Sequence, residues 1–397
     1  MRQIAPRYYQ LPGIEELSRE QEAINYLPAE GCHLVVGGPG TGKTVLALMR
    51  ARLFEQKGLD HRFLVYNRLL EWASWQLHPQ INSNRWIRWF NGIYKYLFGR
   101  YPPRLSHAWA DIDWNQIQDN LLDSGCPTPL KGRYLIIDEG QDMPPGFYQT
   151  LLLLGAEHLF VAADQNQHIG QHNSSIEDIR SALNIQREEI HYLHENFRQK
   201  ESGYCVARLA REFHTDPASP KPELPPQPLL DSPDIPLLYA HNQKRIKSRE
   251  LHRRILLRVY NRPDRLIGII TATNDSRGQW LKALWEVQEE NSELGFIPVK
   301  TYFSEQEEKR LKEIHFDQGG ILVINAQSCK GLEFDEVFIV NLEDFHIAND
   351  DTDVIRKLFY VMISRAREKL FMLRHRKEPC PVLSLMPDDP EILRRLP

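Results

Sequence analysis

"LVVGGPGTGKTVLALM", residues 34–49, is the stretch that decides the fold. An apolar run from Cys32 to Val36 leads into a glycine-rich turn, and a helical pattern follows from Val45 to Phe54. The turn itself, GGPGTGKT at 37–44, fits the spacing G-x-x-x-x-G-K-[ST], with a strand predicted before it and a helix after it. Each residue type has a physical job. Glycines let backbone N–H groups turn inward on phosphate oxygens, and the helix N-terminus adds its partial positive charge. Gly38, Gly40, Thr41 and Gly42 make the cradle. Lys43 is placed to reach the β- and γ-phosphates of ATP, and Thr44 to hold Mg²⁺.

Such a loop asks for an acidic partner on a neighbouring strand. "LIIDEGQD", 135–142, supplies one: an apolar strand delivers Asp138 and Glu139 to its C-terminal end, where open α/β sheets bind ligands. Asp138 is the expected Mg²⁺ ligand. Glu139 is the expected residue to orient and deprotonate an attacking water. A second acid directly after the first suits ATP hydrolysis, whereas a kinase needs room for an acceptor.

Further apolar runs extend the pattern. Phe63–Tyr66, Tyr134–Ile137 and His158–Ala162 read as strands in the first half. Ile267–Thr271, Ile321–Ile324, Val337–Val340 and Lys369–Leu373 read as strands in the second, with helices at Gln279–Glu290 and Thr352–Arg367. Strands alternating with helices predict parallel sheets covered on both faces. Between the halves lies "DPASPKPELPPQPLLDSPDIP", 216–236, whose prolines exclude a helix or a central strand, so it reads as a linker or surface strap. The 397 residues allow two or three domains. The apolar fraction of 42% and charged fraction of 26% are those of a soluble globular chain. A net charge of −4 offers no global basic field, so any nucleic-acid contact must come from a local surface. Cys32, Cys126, Cys205, Cys329 and Cys380 have no metal-ligand spacing, which points to free thiols in a reducing compartment. No run approaches a membrane span and the N-terminus lacks a signal-peptide core, so the expected location is the cytoplasm, with no membrane partner.

Other fragments then fall into order around the two acidic and glycine-rich motifs. They are LSREQEAI (17–24), FLVYNRLL (63–70), VAADQNQHI (161–169), LHENFRQ (193–199), INAQSCKGLEFDEVFIV (324–340) and KLFYVMISRAREKL (357–370). This order resembles the superfamily 1A helicases, the UvrD, PcrA and Rep group, over roughly residues 14–375. The resemblance implies an α/β chain of two RecA-like P-loop NTPase domains with parallel sheets and an ATP cleft between them. The first domain is expected over 1–198, with a reduced insertion at about 93–133, and the second over 199–397, opening with the strap 216–236. It implies an ATP-dependent single-strand translocase or DNA helicase, with ATP and Mg²⁺ as cofactors, single-stranded DNA (or RNA) as partner, and a protein partner such as a nuclease in DNA repair or antiviral defence.

Roles carry over by position. Gln21 resembles the residue that reads the adenine edge, and Phe197 the aromatic that stacks on adenine. Gln167 resembles the γ-phosphate sensor that also touches the DNA path. Arg198 and Arg365 resemble the two γ-phosphate arginines, and Glu333 the acid that meets the ribose. An arginine is always charged and reaches phosphate with a forked donor set. Arg367 reads better as a surface charge.

The chain also departs from the family pattern. Gln171 and His172 stand where an aromatic and an arginine stack on a base, leaving His172 as the candidate there. Asn325 and Gln327 replace the usual Thr and His of the fifth motif. The insertions that hold duplex DNA are largely missing. Six tryptophans crowd 72–114, with Arg85 and Arg88 among them. Asn67, Trp89, Phe90, Asn91, His172 and Gln327 are therefore the candidate nucleic-acid contacts. Core packing is the competing reading for the tryptophans. The alternative function is an ATP-hydrolysing regulatory switch in a larger complex, without unwinding of its own.

Overall fold

The structure is a computed structural model. It describes residues 11–106, 111–167, 173–200, 203–216, 221, 223–225, 232, 234–241, 249–302, 311–347 and 351–396. The strap 216–236 therefore lies largely outside the described residues, as do Trp109, Gln171 and His172. The described residues form two compact units. One comprises the described parts of Gln10–His194 and Asp216–Pro222; the other comprises Glu195–Thr215 and Glu223 onward.

Among the described residues the N-terminal unit holds the strands β1 (Cys32–Gly37), β2 (His61–Val65), β3 (Ser83–Arg85), β4 (Tyr134–Ile137), β5 (His158–Ala163) and β6 (His191–Leu193). Their order is β3-β2-β4-β5-β1-β6, and every pairing is parallel. Successive side chains point to opposite faces of a strand, and both faces are apolar here. Leu34 and Val36, Leu135 and Ile137, and Leu159 and Val161 enter one core with helices Trp86–Phe98, Trp114–Asp123 and Pro145–Leu153. Val35, Ile136 and Phe160 enter the other, under Leu46, Ala47, Ala51 and Phe54 of helix Lys43–Gln56. The expected reduced insertion is part of this unit: Ile112, Ile117, Leu121 and Leu130 are all buried in the first core.

The C-terminal unit holds β7 (Leu237–His241), β8 (Leu266–Thr271), β9 (Val299–Thr301), β10 (Gly320–Asn325), β11 (Phe334–Ile339), β12 (Ala366–His375) and β13 (Arg394–Leu396). The order is β13-β7-β12-β11-β8-β10-β9, again all parallel. Helices Arg249–Asn261 and Asn274–Glu290 cover one face through Ile255, Val259, Trp280 and Leu284.

Several expected boundaries move: the helix expected from Gln279 starts at Asn274, and the strand expected from Val337 starts at Phe334. The helix expected from Thr352 to Arg367 ends at Ser364, and the strand begins at Ala366. Arg365 caps the helix, and Ala366 is already paired with Phe334 of β11. Arg367 therefore lies on a strand, with its side chain 41% exposed and 4.0 Å from Asp335. All five cysteines are free. No helix among the described residues is long and apolar enough to cross a membrane.

Candidate nucleotide and nucleic-acid sites

Three strand ends build the site of the N-terminal unit. β1 leads into the glycine-rich loop, β4 leads to Asp138, and β5 lies between them and leads to Asp164. Gly40 (φ 79°) and Gly42 (φ 92°) hold the left-handed conformation that the turn needs. Thr41 Oγ1 donates to Gly38 O at 2.8 Å and closes the loop from inside. Lys43 is buried, and its Nζ donates to Gly37 O at 2.7 Å and Gly38 O at 2.8 Å, so its charge sits at the mouth of the loop. Helix Lys43–Gln56 starts at Gly42 with no side-chain cap, leaving its first N–H groups to a ligand.

Thr44 Oγ1 donates to Asp138 Oδ2 at 2.9 Å, so residues 94 apart in sequence meet at one point. Asp138 Oδ1 is buried with no hydrogen-bond partner among the described residues. Burial pushes the Asp138 carboxyl up to about 7, and neighbouring Glu139 adds to the rise. The Thr44 hydroxyl and Lys43 oppose it. A hydroxyl and a buried carboxylate with an unused oxygen form an all-oxygen donor set that fits Mg²⁺. A bound divalent cation would neutralise the crowded acids.

Glu139 is held in the left-handed region (φ 53°, ψ 45°), which costs a non-glycine residue energy and is kept only where surroundings enforce it. Those surroundings are visible. Tyr148 Oη donates to Gly140 O at 2.7 Å. Gln141 Nε2 donates to Glu139 Oε2 at 2.7 Å, while Gln141 Oε1 accepts from Asp164 N at 2.9 Å. Gln167 Nε2 then donates to Asp164 Oδ2 at 2.9 Å. A buried relay thus runs from Glu139 through Gln141 and Asp164 to Gln167 and ties the ends of β4 and β5 together. Gln141, Tyr148 and Asp164 were not among the sequence candidates. Gln141 and Asp164 stand within the quoted motifs, but only the fold shows what they hold. Gln141→Leu is expected to lower kcat for ATP about tenfold with KM within about twofold, because a hydrogen bond to a charged group is worth roughly 1.5–3 kcal/mol. Steady-state kinetics checks this; unchanged kcat would remove Gln141 from the positioning of Glu139.

Gln21 also touches the loop. It caps helix Arg19–Asn25 reciprocally with Ser18, and its Nε2 donates to Thr41 O at 3.0 Å. A Cβ at position 42 would lie 2.4 Å from that nitrogen, a second reason for glycine there.

The C-terminal unit carries its own cluster. Arg198 forms an ion pair with Glu333, and its Nη1 donates to Ser364 O at 2.8 Å. Gln199 Nε2 donates to Ala366 O at 2.8 Å, so the segment around Phe197 is pinned to the joint between helix and strand. Arg365 sits in that joint and is 2% exposed. It donates through Nε to Val361 O at 2.9 Å, through Nη2 to Ser364 Oγ at 2.9 Å and through Nη1 to Leu332 O at 3.4 Å. Burial pushes the Glu333 carboxyl up, but Arg198, Arg367 and Arg365 together outweigh it and hold the group below its ordinary value. Phe197 is 36% exposed.

The nucleic-acid candidates divide. Phe90 is fully buried among Trp114, Phe147 and Tyr94, so it belongs to the core and cannot meet a base. Trp89 is half-buried against the same core, and Trp86 is buried within it, next to Phe147. For these two tryptophans core packing is the better account. Asn91 is half-buried in that helix. Asn67 caps helix Arg68–Leu77, accepting from Leu70 N at 2.7 Å, so its carbonyl oxygen serves the fold. Gln327 is exposed, in the short helix capped by Asn325. His172 lies outside the described residues.

Comparisons with known proteins bear on both units. Residues 20–173 match the family described as an AAA domain, and residues 278–377 match the UvrD-like helicase C-terminal domain. No curated protein matches the chain. Among solved structures, the C-terminal domain of a possible DNA helicase from Lactobacillus plantarum is similar at 16% identity, over 48% of this chain and 94% of that one, with a TM-score of 0.32.

Proposed function

We propose, for a chain that belongs to the UvrD-like superfamily 1 helicases, that it is an ATP-driven translocase on single-stranded nucleic acid, with DNA as the first substrate to test. The observation that carries the reading is the meeting of Thr44 with Asp138 beside a Glu139 held by Gln141. The loop amides and Lys43 would bind the β- and γ-phosphates of ATP. Mg²⁺, held by Thr44 and Asp138, would supply neutralisation of the phosphate oxygens when bound. Glu139 would orient a water in line with the γ-phosphorus and take its proton as the bond to the β-phosphate oxygen breaks, leaving ADP and phosphate.

Arg198 and Arg365 would meet the γ-phosphate as the units close, and Phe197 would stack on the base. Charge on the phosphate would then favour the closed state, and hydrolysis would release it, which is a two-state element biased by a ligand. The switch alternative draws no support from the matched domains.

The test is ATP hydrolysis by the purified chain, with and without single-stranded DNA, single-stranded RNA and duplex, at low and moderate salt. Stimulation of about tenfold by a single strand is the expected result. Hydrolysis indifferent to every nucleic acid would overturn the coupling while leaving the ATPase standing.

A further inference from the structure

We propose that the outer face of helix Trp86–Phe98, with the turn after it, is a single-strand-binding surface. Arg88, Lys95 and Arg100 would grip phosphates, and Tyr96 and Tyr101 would stack on bases. The inference rests on the translocase reading above and adds to it five side chains, on the face of this helix turned away from Phe90 and on the turn after it, that were not among the candidate contacts.

The charge pattern comes first. The chain is net acidic, yet between Glu71 and Asp111 it has no Asp or Glu, while Arg85, Arg88, Lys95, Arg100 and Arg104 all fall there. A local basic stretch in an acidic chain is the electrostatic footprint of an anionic partner. The helix then sorts its residues. Trp86, Ile87, Phe90 and Tyr94 are buried against the core. Arg88, Gly92, Lys95, Tyr96 and Gly99 are exposed, and their spacing puts them on one opposite face. Arg88 and Lys95 are about 10 Å apart along the axis. Gly99, at φ 68°, reverses the chain and returns Tyr101 to that face, with Lys95 Nζ 5.1 Å from its ring centroid.

Two facts separate this face from an ordinary solvated one. Arg88, Lys95 and Arg100 form no ion pair among the described residues. Asp113, an acid nearby in sequence, instead caps helix Trp114–Asp123 through Gln116 N. Tyr96 is 84% exposed and Tyr101 61%, so two large rings stand in water beside three uncompensated cations. Cations interleaved with exposed aromatic faces suit a single strand, whose bases are free to stack. Its helix follows β3 at the sheet edge, four strand positions from the phosphate loop after β1 and two from the acids after β4.

The test compares wild type with Arg88→Ala/Lys95→Ala/Arg100→Ala and with Tyr96→Ala/Tyr101→Ala. Binding of fluorescein-labelled oligothymidylate is titrated between about 50 and 200 mM salt. All five side chains are exposed, so both variants should fold, which circular dichroism verifies. For the cation variant the slope of log K against log salt should shrink in magnitude by about 2, near 0.7 for each lost phosphate contact. For the tyrosine variant affinity should fall about tenfold with the slope unchanged, and binding to heparin, a polyanion without bases, should not change. ATP hydrolysis without nucleic acid should stay at the wild-type level in both. Wild-type affinity and slope in the cation variant, with wild type itself binding, would overturn this surface and leave the translocase reading intact. Phosphatidylserine vesicles binding where oligothymidylate does not would overturn it in favour of a membrane. Wild type that hydrolyses ATP but binds no nucleic acid would overturn both readings.

Discussion

Glu139→Gln is expected to lower ATP turnover by about 10²–10⁴, the usual contribution of a positioned general base. The change is nearly isosteric, and the backbone there is already left-handed, so no new strain is introduced. The amide oxygen can still accept from Gln141, but the group can no longer take a proton. Nucleotide binding should survive, because Lys43, Thr44 and Asp138 are untouched. It should even tighten slightly in the presence of Mg²⁺. Glu139 is one cause of the raised Asp138 carboxyl, so removing its charge favours the ionised ligand. Single-turnover hydrolysis together with binding of a fluorescent nucleotide separates the two effects. Wild-type turnover would remove Glu139 from the chemistry.

Arg365→Ala should be the other large loss, about 10³–10⁵ in kcat if its guanidinium meets the γ-phosphate as arginines do in related NTPases. Its burial adds a second, separable effect. The side chain is 2% exposed and donates to Val361 O, Leu332 O and Ser364 Oγ. Truncation leaves those acceptors short of a donor, at a cost of roughly 1–3 kcal/mol. The melting temperature should fall by on the order of 5 °C. Arg365→Lys keeps the charge without the forked donor set and should recover stability more than turnover. Rates are best measured well below both transitions. A loss of activity that merely followed the folded fraction would assign Arg365 to the joint between helix and strand alone.

The two mutants probe residues of different legibility. The loop 37–44 and the acids Asp138 and Glu139 are readable from sequence because their chemistry is local. A turn between a strand and a helix needs glycines at set positions, and an apolar run ending in two acids delivers them at a strand tip. The alternating doubly covered sheets are equally plain, since a continuous apolar run such as Leu135–Ile137 has no solvent-facing side on which polar residues could stand. Short polar strands are different. Ser83–Arg85 is a strand only because β2 lies beside it, and nothing in "SNR" announces that.

Side-chain roles divide in the same way. Sequence by itself determined which residues could bind phosphate, hold a divalent cation and activate water. Only the tertiary structure decided what holds them. Gln141 looks like any polar loop residue until β4 and β5 bring Glu139 and the Asp164 amide within its reach. Tertiary packing also decided that Phe90 is core while Tyr96, six residues on, is in water. Hydrogen bonds and burial between distant segments depend on which strands become neighbours. That choice is made by the packing of the whole sheet, to which no single stretch of sequence has access.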